Sequence, residues 1–309
     1  MAPIYRHPKT TEEITERNAL LQHCLRPENP IIPIVDEYPF HLSIKGAETS
    51  FCAFEDGKII AHITLEIANL TAVSDRSIPI GLIGNVVTHP NFRGKGIMSA
   101  LIKHAKDYAI SRDAFVLALW TDLDKFYQTL GFVSLGRELR FHFRSMPNLS
   151  RSCRALNFNL IDRQSPPNGL VESLKALRFP ILRAIDRSNE RFNDYLRIPL
   201  TFPYVRTENE HIKAFGIVGK GYDLGGVIHE WGGQSPDDIL KVVALAKVDL
   251  KFNDIIVLAP KNLNPLWKTA FNAAADDVTE HEMCLAAELK PGMLDRIRSD
   301  WFAWGFDSI

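Results

Sequence analysis

One short run of the chain combines the residue types that hold an anion: Arg93-Gly94-Lys95-Gly96-Ile97-Met98. Before it, Ile83-Gly84-Asn85-Val86-Val87-Thr88 reads as a short apolar strand, and His89-Pro90-Asn91 marks a corner. After it, Ile97, Ala100, Leu101 and Ala105 fall on one face at helical spacing, so a helix begins where the glycines end. A Gly-rich loop that opens a helix leaves backbone N–H groups unpaired. With the positive end of the helix dipole they suit a phosphate. Gly94 and Gly96 let the backbone approach closely, and Arg93 and Lys95 add positive charge. The spacing is neither that of the phosphate loop ending in Gly-Lys-Ser/Thr nor the G-x-G-x-x-G of dinucleotide-binding folds.

This loop resembles motif A of the GCN5-related N-acetyltransferases, the GNAT superfamily, whose pyrophosphate loop reads Arg/Gln-x-x-Gly-x-Gly/Ala. Gly96 matches the fourth position, and Met98 stands where the family has a small residue. A second stretch fits the same family: Lys125-Phe126-Tyr127-Gln128-Thr129-Leu130-Gly131-Phe132 resembles its helix that carries a Tyr and ends at a Gly-Phe corner. The two stretches stand in the family's order and place the resemblance over residues 1–145.

The resemblance implies an α+β fold, with a mixed, mostly antiparallel central sheet, one splayed strand pair and flanking helices. It implies acetyl-CoA as co-substrate and no metal. The strand before the loop would offer the backbone of Val86, Val87 and Thr88 to the pantetheine arm. Arg93, Gly94, Lys95, Gly96, Ile97 and Met98 would hold the pyrophosphate. Tyr127 would protonate the departing thiolate; on its own, a Tyr beside Phe126 on a short helix reads as packing. The family's Asn near the start of the Tyr helix is missing, and Asp122 and Asp124 occupy that turn.

An ammonium acceptor must lose a proton before it attacks. Period-two alternation puts His62, Thr64 and Glu66 on one face of the strand Lys58–Ile67, with Ile63, Leu65 and Ile67 on the other. Glu66 is the candidate base, with His62 and His89 behind it. In this family the Pro-rich region from Pro27 to Pro39 borders the substrate cleft. Its Asp36, Glu37 and Tyr38 would then join Glu66 around a cationic amine; read alone, they belong to a solvated loop. The implied function is direct, ternary-complex transfer of an acetyl group to a primary amine of a small molecule or peptide. The alternatives are transfer of a longer acyl group, or a coenzyme A-binding sensor or scaffold with little chemistry.

Other elements must position these residues. Thr10 or Thr11 caps a helix with Glu12 and Glu13 in its first turn. Glu55-Asp56-Gly57 between two β-rich runs predicts a hairpin. Thr121-Asp122 is expected to cap the Tyr127 helix, and Phe115–Trp120 to form a buried strand. The Ser-, Pro- and Asn-rich region 146–170 reads as a linker, with a strand at Asn157–Ile161. From His211 the order of the first half returns: strands near 211–219 and 226–231, a helix capped at Ser235-Pro236-Asp237-Asp238, a strand at 254–259, a helix at 263–271 and a strand at 282–289. This predicts a degenerate second copy in residues 171–309. Where the first copy has Arg93–Gly96, the second has Trp231-Gly232-Gly233-Gln234 followed by acids, so it is expected to hold no cofactor. Such an arrangement resembles tandem acetyltransferases, among them the enhanced-intracellular-survival family, whose further C-terminal domain this chain is too short to hold. His229, Glu230 and Trp231 would line an amine site or pack between the halves.

Composition bounds the rest. The chain has 309 residues, enough for two ordinary domains or one large one, and 46% of them are hydrophobic, enough for a sizeable core. A net charge of −1 argues against a nucleic-acid partner. Cys24, Cys52, Cys153 and Cys284 share no metal or redox spacing and read as thiols of a cytoplasmic protein. No signal peptide or membrane-length apolar run is visible, so no membrane partner is expected. The tail Trp301-Phe302-Ala303-Trp304-Gly305-Phe306 is too aromatic to hang free and must dock on the body or on a second copy, which leaves room for a homodimer.

Overall fold

The structure is a computed structural model and describes residues 2–28, 31–71, 77–145, 153–156, 169–181, 183–298 and 301–308. Thr10 caps the first helix as predicted, its hydroxyl accepting from the Glu13 N–H. The first half runs β1 (Ile4–Arg6), α1 (Thr11–Leu25), α2 (Ile34–Glu37), β2 (Ser50–Glu55), β3 (Lys58–Leu70), β4 (Ile78–Thr88), α3 (Ile97–Ser111), β5 (Val116–Leu119), α4 (Asp124–Gln128) and β6 (Val133–Phe143). Asp56 and Gly57, at φ 49° and 78°, join β2 to β3 in the tight turn that Asp-Gly favours. The Pro-rich region is not wholly irregular. Pro33 presets the first turn of α2, whose Glu37 is buried.

The second half repeats this order element by element: β7 (Cys153–Ala155), α5 (Leu170–Leu177), α6 (Asn189–Tyr195), β8 (Phe202–Glu208), β9 (His211–Lys220), β10 (Asp223–Gly233), α7 (Pro236–Leu250), β11 (Ile255–Pro260), α8 (Pro265–Ala274) and β12 (Asp277–Glu288). A short α9 (Met293–Ile297) follows. The strand expected at 157–161 lies outside the described residues. Among these residues the strands form one sheet, in the order β1-β2-β3-β4-β5-β12-β6-β11-β10-β9-β8-β7. That order is a palindrome: exchanging each strand for its counterpart in the other half reproduces it. The pseudo-twofold therefore passes between β12 and β6.

The two halves are interlocked at this axis. β12 lies antiparallel between β5 and β6, with Leu285 opposite Leu119 on one side and Cys284 opposite Leu135 on the other. β6 in turn lies between β12 and β11, with Phe141 opposite both Val278 and Val257. Each half thus lends its last strand to the other's sheet, and residues 1–145 and 171–309 share one surface of hydrogen bonds. The main apolar core spans both halves, from Leu82 and Ala118 through Phe141 to Trp231, Phe271 and Trp304. A second core under α3 holds Ile63, Leu65, Leu101, Tyr127 and Phe132 of the first half together with Leu285 of β12.

The aromatic tail docks on the body. Trp301, Phe302, Trp304 and Phe306 are buried, with Phe306 stacked on Tyr195 at 4.8 Å and Trp304 edge-on to Trp231. Asp307 pairs with Arg187, which also meets Glu230. All four cysteines are free thiols. Among the described residues no helix is long and apolar enough to cross a membrane.

Candidate active site

β4 is bonded differently along its two edges. Toward β3 it is paired from Ile78 to Thr88. Toward β5, to which it is parallel, the pairing ends at Ile83 opposite Leu119. From Gly84 to Thr88 no described strand takes the backbone groups on that side. On the β3 side a bulge sets Asn85 and Val86 opposite a single residue, between the pairs Thr64–Gly84 and His62–Val87. Asn85 sits in the left-handed region at φ 48°, which Asn tolerates better than most side chains. Its carbonyl accepts from His62 Nδ1 at 2.9 Å, and its amide donates to Thr64 Oγ1 at 3.4 Å.

The glycine loop follows directly. Pro90–Phe92 makes one tight turn, and Gly94 and Gly96 take φ 74° and 75°. A side chain at either would meet open space, so the backbone conformation, not crowding, requires glycine there. Gly96 caps α3 without a side-chain bond, leaving the first N–H groups of that helix free to accept an anion. Arg93 and Lys95 are exposed beside it. Arg93 Nε donates to the Thr88 carbonyl at 3.1 Å, and the Lys95 ammonium lies 4.7 Å from the Phe92 ring. Ile97 is buried and Met98 rests against the same core, so the side chain that departs from the family pattern faces inward.

Tyr127 is buried on α4, edge-on to Phe126 and Phe132 at 5.0 and 5.6 Å. Its own carbonyl accepts from the Leu130 and Phe132 N–H groups and so closes the corner at Gly131, φ 82°. Burial pushes the phenol pKa up to about 12, which keeps the proton on oxygen at neutral pH and makes Tyr127 a donor. The cap of α4 differs from expectation. Leu123 precedes the helix, and the Thr121 hydroxyl accepts from the Leu123 N–H instead.

The acids expected around the acceptor are already matched within the chain. Glu66 is buried on β3, where Oε2 accepts from His41 Nε2 at 2.7 Å and the Arg191 guanidinium of α6 grips both oxygens. Burial alone would raise its pKa, but the bonds from His41 and Arg191 outweigh this and bring it to about 2. A carboxylate held so firmly ionised is a poor proton acceptor, and both of its oxygens are already engaged by His41 and Arg191. Glu37 pairs with Arg26 at 2.8 Å and accepts from the Tyr222 N–H, while the Tyr38 hydroxyl donates to Asp223 at 2.6 Å. These two side chains join the halves; Asp36 is half-buried on α2. His89 accepts from the Asn91 N–H and so belongs to the loop's own turn. Sequence reasoning missed His41 and Arg191. Nothing local marks either, since Arg191 meets Glu66 only through the packing of α6 on the first half.

The second half repeats the splay and fills it. β10 pairs with β11 only at Val227–Ile256 and Ile228–Val257. Beyond that point the chain's own segment enters: Arg178 bridges Gly232, and the Phe179 N–H donates to the Trp231 carbonyl at 3.3 Å. A Cβ on Gly232 would stand 2.0 Å from the Leu177 carbonyl oxygen, so glycine permits this close approach. The loop to the next helix, His89–Gly96 in the first half, is Gln234 and Ser235 alone in the second. Ser235 caps α7 with its own hydroxyl, and Asp237 and Asp238 occupy the first turn. Outside the inserted segment a cavity of about 430 Å³ remains, lined by Phe179, Pro180, Gln234, Asn262, Asn264 and Trp267.

Residues 16–132 match the model of the acetyltransferase (GNAT) family. That stretch holds the β4 edge, the glycine loop and the Tyr127 helix, and the likeness to solved structures extends a GNAT fold, in tandem, along the chain. Among solved structures it is similar to a probable N-acyltransferase, a conserved protein of unknown function from Enterococcus faecalis V583, with a TM-score of 0.66 and 15% identity over 93% of this chain and 73% of that one. It is also similar to a tandem GNAT protein from the clavulanic acid biosynthesis pathway, at a TM-score of 0.54 and 11% identity over 94% and 99% of the two chains. A third similar structure is the Saccharomyces cerevisiae N-myristoyltransferase with bound myristoyl-CoA, at a TM-score of 0.54 and 13% identity over 93% and 82%. No curated protein sequence matches the chain.

Proposed function

We propose that the first half binds acetyl-CoA and transfers its acetyl group to a primary amine by direct attack. The unpaired edge of β4, running from Gly84 into the open cradle at Gly94 and Gly96, carries this reading. The backbone of Val86, Val87 and Thr88 would bond the pantetheine arm, much as a neighbouring strand would. The N–H groups at the start of α3, with Arg93 and Lys95, would hold the pyrophosphate. A backbone N–H at the Asn85–Val86 bulge would take charge from the thioester oxygen. Donors of this kind are worth ~3–4 kcal/mol of barrier. Tyr127, protonated at neutral pH, would supply the proton that the thiolate takes as it leaves. The first expected outcome is that Tyr127→Phe lowers turnover about 100-fold while acetyl-CoA affinity holds. An unchanged turnover would remove Tyr127 from the mechanism.

With Glu37 and Glu66 paired to arginines of the chain, these acids no longer favour a cationic acceptor over any other amine. The free thiols suit a reducing compartment, and we place the activity in the cytoplasm. Calorimetric titration with acetyl-CoA tests the reading. One site per chain is expected, because the second splay is filled by residues 178–180. Arg93→Ala/Lys95→Ala should weaken binding about tenfold or more, as expected when charge-assisted phosphate contacts are lost. Two sites per chain would show that the inserted segment yields to coenzyme A. No binding would sink the acetyltransferase reading.

A further inference from the structure

We infer that His41 is the general base of the transfer, oriented by Glu66 and dependent on Arg191 of the second half. This rests on the acetyltransferase reading above. His41 is 3% exposed, on the segment between α2 and β2. Its Nε2 faces the Glu66 carboxylate, which can only accept, so the ring proton sits on Nε2. Nδ1 is then a lone pair, buried and without a partner among the described residues. His62 presents the same situation. Its Nδ1 faces the Asn85 carbonyl, which can only accept, and its Nε2 is buried without a partner among the described residues. The two imidazoles lie within electrostatic reach of each other. Two buried acceptors without a partner among the described residues leave room for a donor brought by a substrate or a water, an N–H or an O–H. His62 stands opposite Val87, within the stretch of β4 that has no described partner toward β5.

Only one of the two rings is built to keep a proton. Behind His41 stands an ionised carboxylate, which stabilises an imidazolium. Behind His62 stands a neutral carbonyl, and burial lowers its pKa to about 3. The charged groups facing His41 are Glu66 of β3, Arg191 of α6 and Lys220 of β9, with His62 nearby on β3. Burial, Arg191 and Lys220 lower its pKa, and Glu66 opposes them, so the ring is neutral and available at pH 7. The guanidinium grip of Arg191 keeps Glu66 ionised, so a proton arriving at Nδ1 stays on the imidazole. The protons balance. The ammonium gives one to His41 Nδ1, directly or through one water, and the freed amine attacks the thioester carbon. The carbon–sulfur bond breaks, the thiolate takes a proton from Tyr127, and the new amide loses its second N–H proton to restore it. His41 returns the first proton to solvent.

The test is single-turnover thiol release from acetyl-CoA, with the full chain in excess and ethanolamine as the probe amine, across pH. The parent rate should rise with pH through one ionisation below the ordinary histidine value. His41→Gln should lower the rate about 100-fold or more and abolish that rise, with acetyl-CoA affinity unchanged. Glu66→Gln should move the rise to lower pH, because losing the carboxylate makes the imidazolium less stable. In the parent, ¹⁵N spectra of histidine-labelled protein should show His41 Nδ1 unprotonated at pH 7, a readout independent of turnover and of the variants' folding. A proton on Nδ1, or a His41→Gln rate and pH profile equal to the parent's with acetyl-CoA bound, overturns the inference. Failure of the parent to bind acetyl-CoA overturns the underlying reading as well and is told apart by calorimetry.

Discussion

A chain ended at residue 145 is expected to show no cooperative thermal transition, although it holds every element of the half that carries the proposed site. The reason is the neighbours of β6. Both of them, β12 and β11, come from the second half. Without them β6 has no strand beside it, and β5 loses its partner on one side. Leu135, Leu139, Phe141 and Phe143 of β6 are buried in the whole chain. At ~1.5–3 kcal/mol each they contribute about 6–12 kcal/mol. That approaches the entire 5–15 kcal/mol or so by which a typical domain is stable. Circular dichroism on heating checks this, with the second-half fragment added afterwards to restore the transition. A sharp transition for the first half alone would mean that it can close its sheet with its own strands.

Removing Arg191 should cost more than any single charge at the surface. Glu66 is buried and relies on Arg191 and His41 to stay ionised. Arg191→Ala leaves that carboxylate without its bidentate partner, and breaking a buried pair from one side costs ~3–5 kcal/mol. The pH dependence separates this from a packing defect. In the parent the folded pKa of Glu66 is about 2, below the ~4.3 of a free glutamate. The group therefore contributes about 3 kcal/mol that is fully present above roughly pH 5 and is lost as pH falls toward 2. In Arg191→Ala the folded pKa moves back up, so the variant should lose less stability than the parent between pH 5 and pH 3. Glu66→Gln/Arg191→Met should recover most of the loss at pH 7, since no charge is then left buried. Urea unfolding at several pH values measures all of this. Parallel pH curves for parent and Arg191→Ala would rule out the pair as the source.

What the sequence made legible was local. Gly94, Gly96 and Gly131 stand where φ is positive, Asp56-Gly57 demanded a tight turn, and Thr10 and Ser235 announced their helices; each signal spans a few residues. The repeated order of elements was legible for the same reason. The exchange of β6 and β12 was not, because an apolar run such as Met283–Ala287 fits beside any strand with a free edge. Alternation along β3 put Glu66 with His62 and Thr64, but no pattern could show that Arg191 would meet it. That residues 178 and 179 lie along β10 where a strand would pair depends on Gly232 and on the splay, both set by the fold.

The placement of β12 also sets a timetable. Leu119 of β5 emerges from the ribosome long before Leu285, the residue it must face. At ~5–20 residues per second the wait is on the order of ten to thirty seconds. Throughout it β5 presents an open, apolar edge of the kind that recruits stray strands. Tyr127, which shares a core with Leu285, waits equally long for its final surroundings. The half made first is therefore finished last, and a nascent chain halted before β12 would be a client for chaperones rather than an early enzyme.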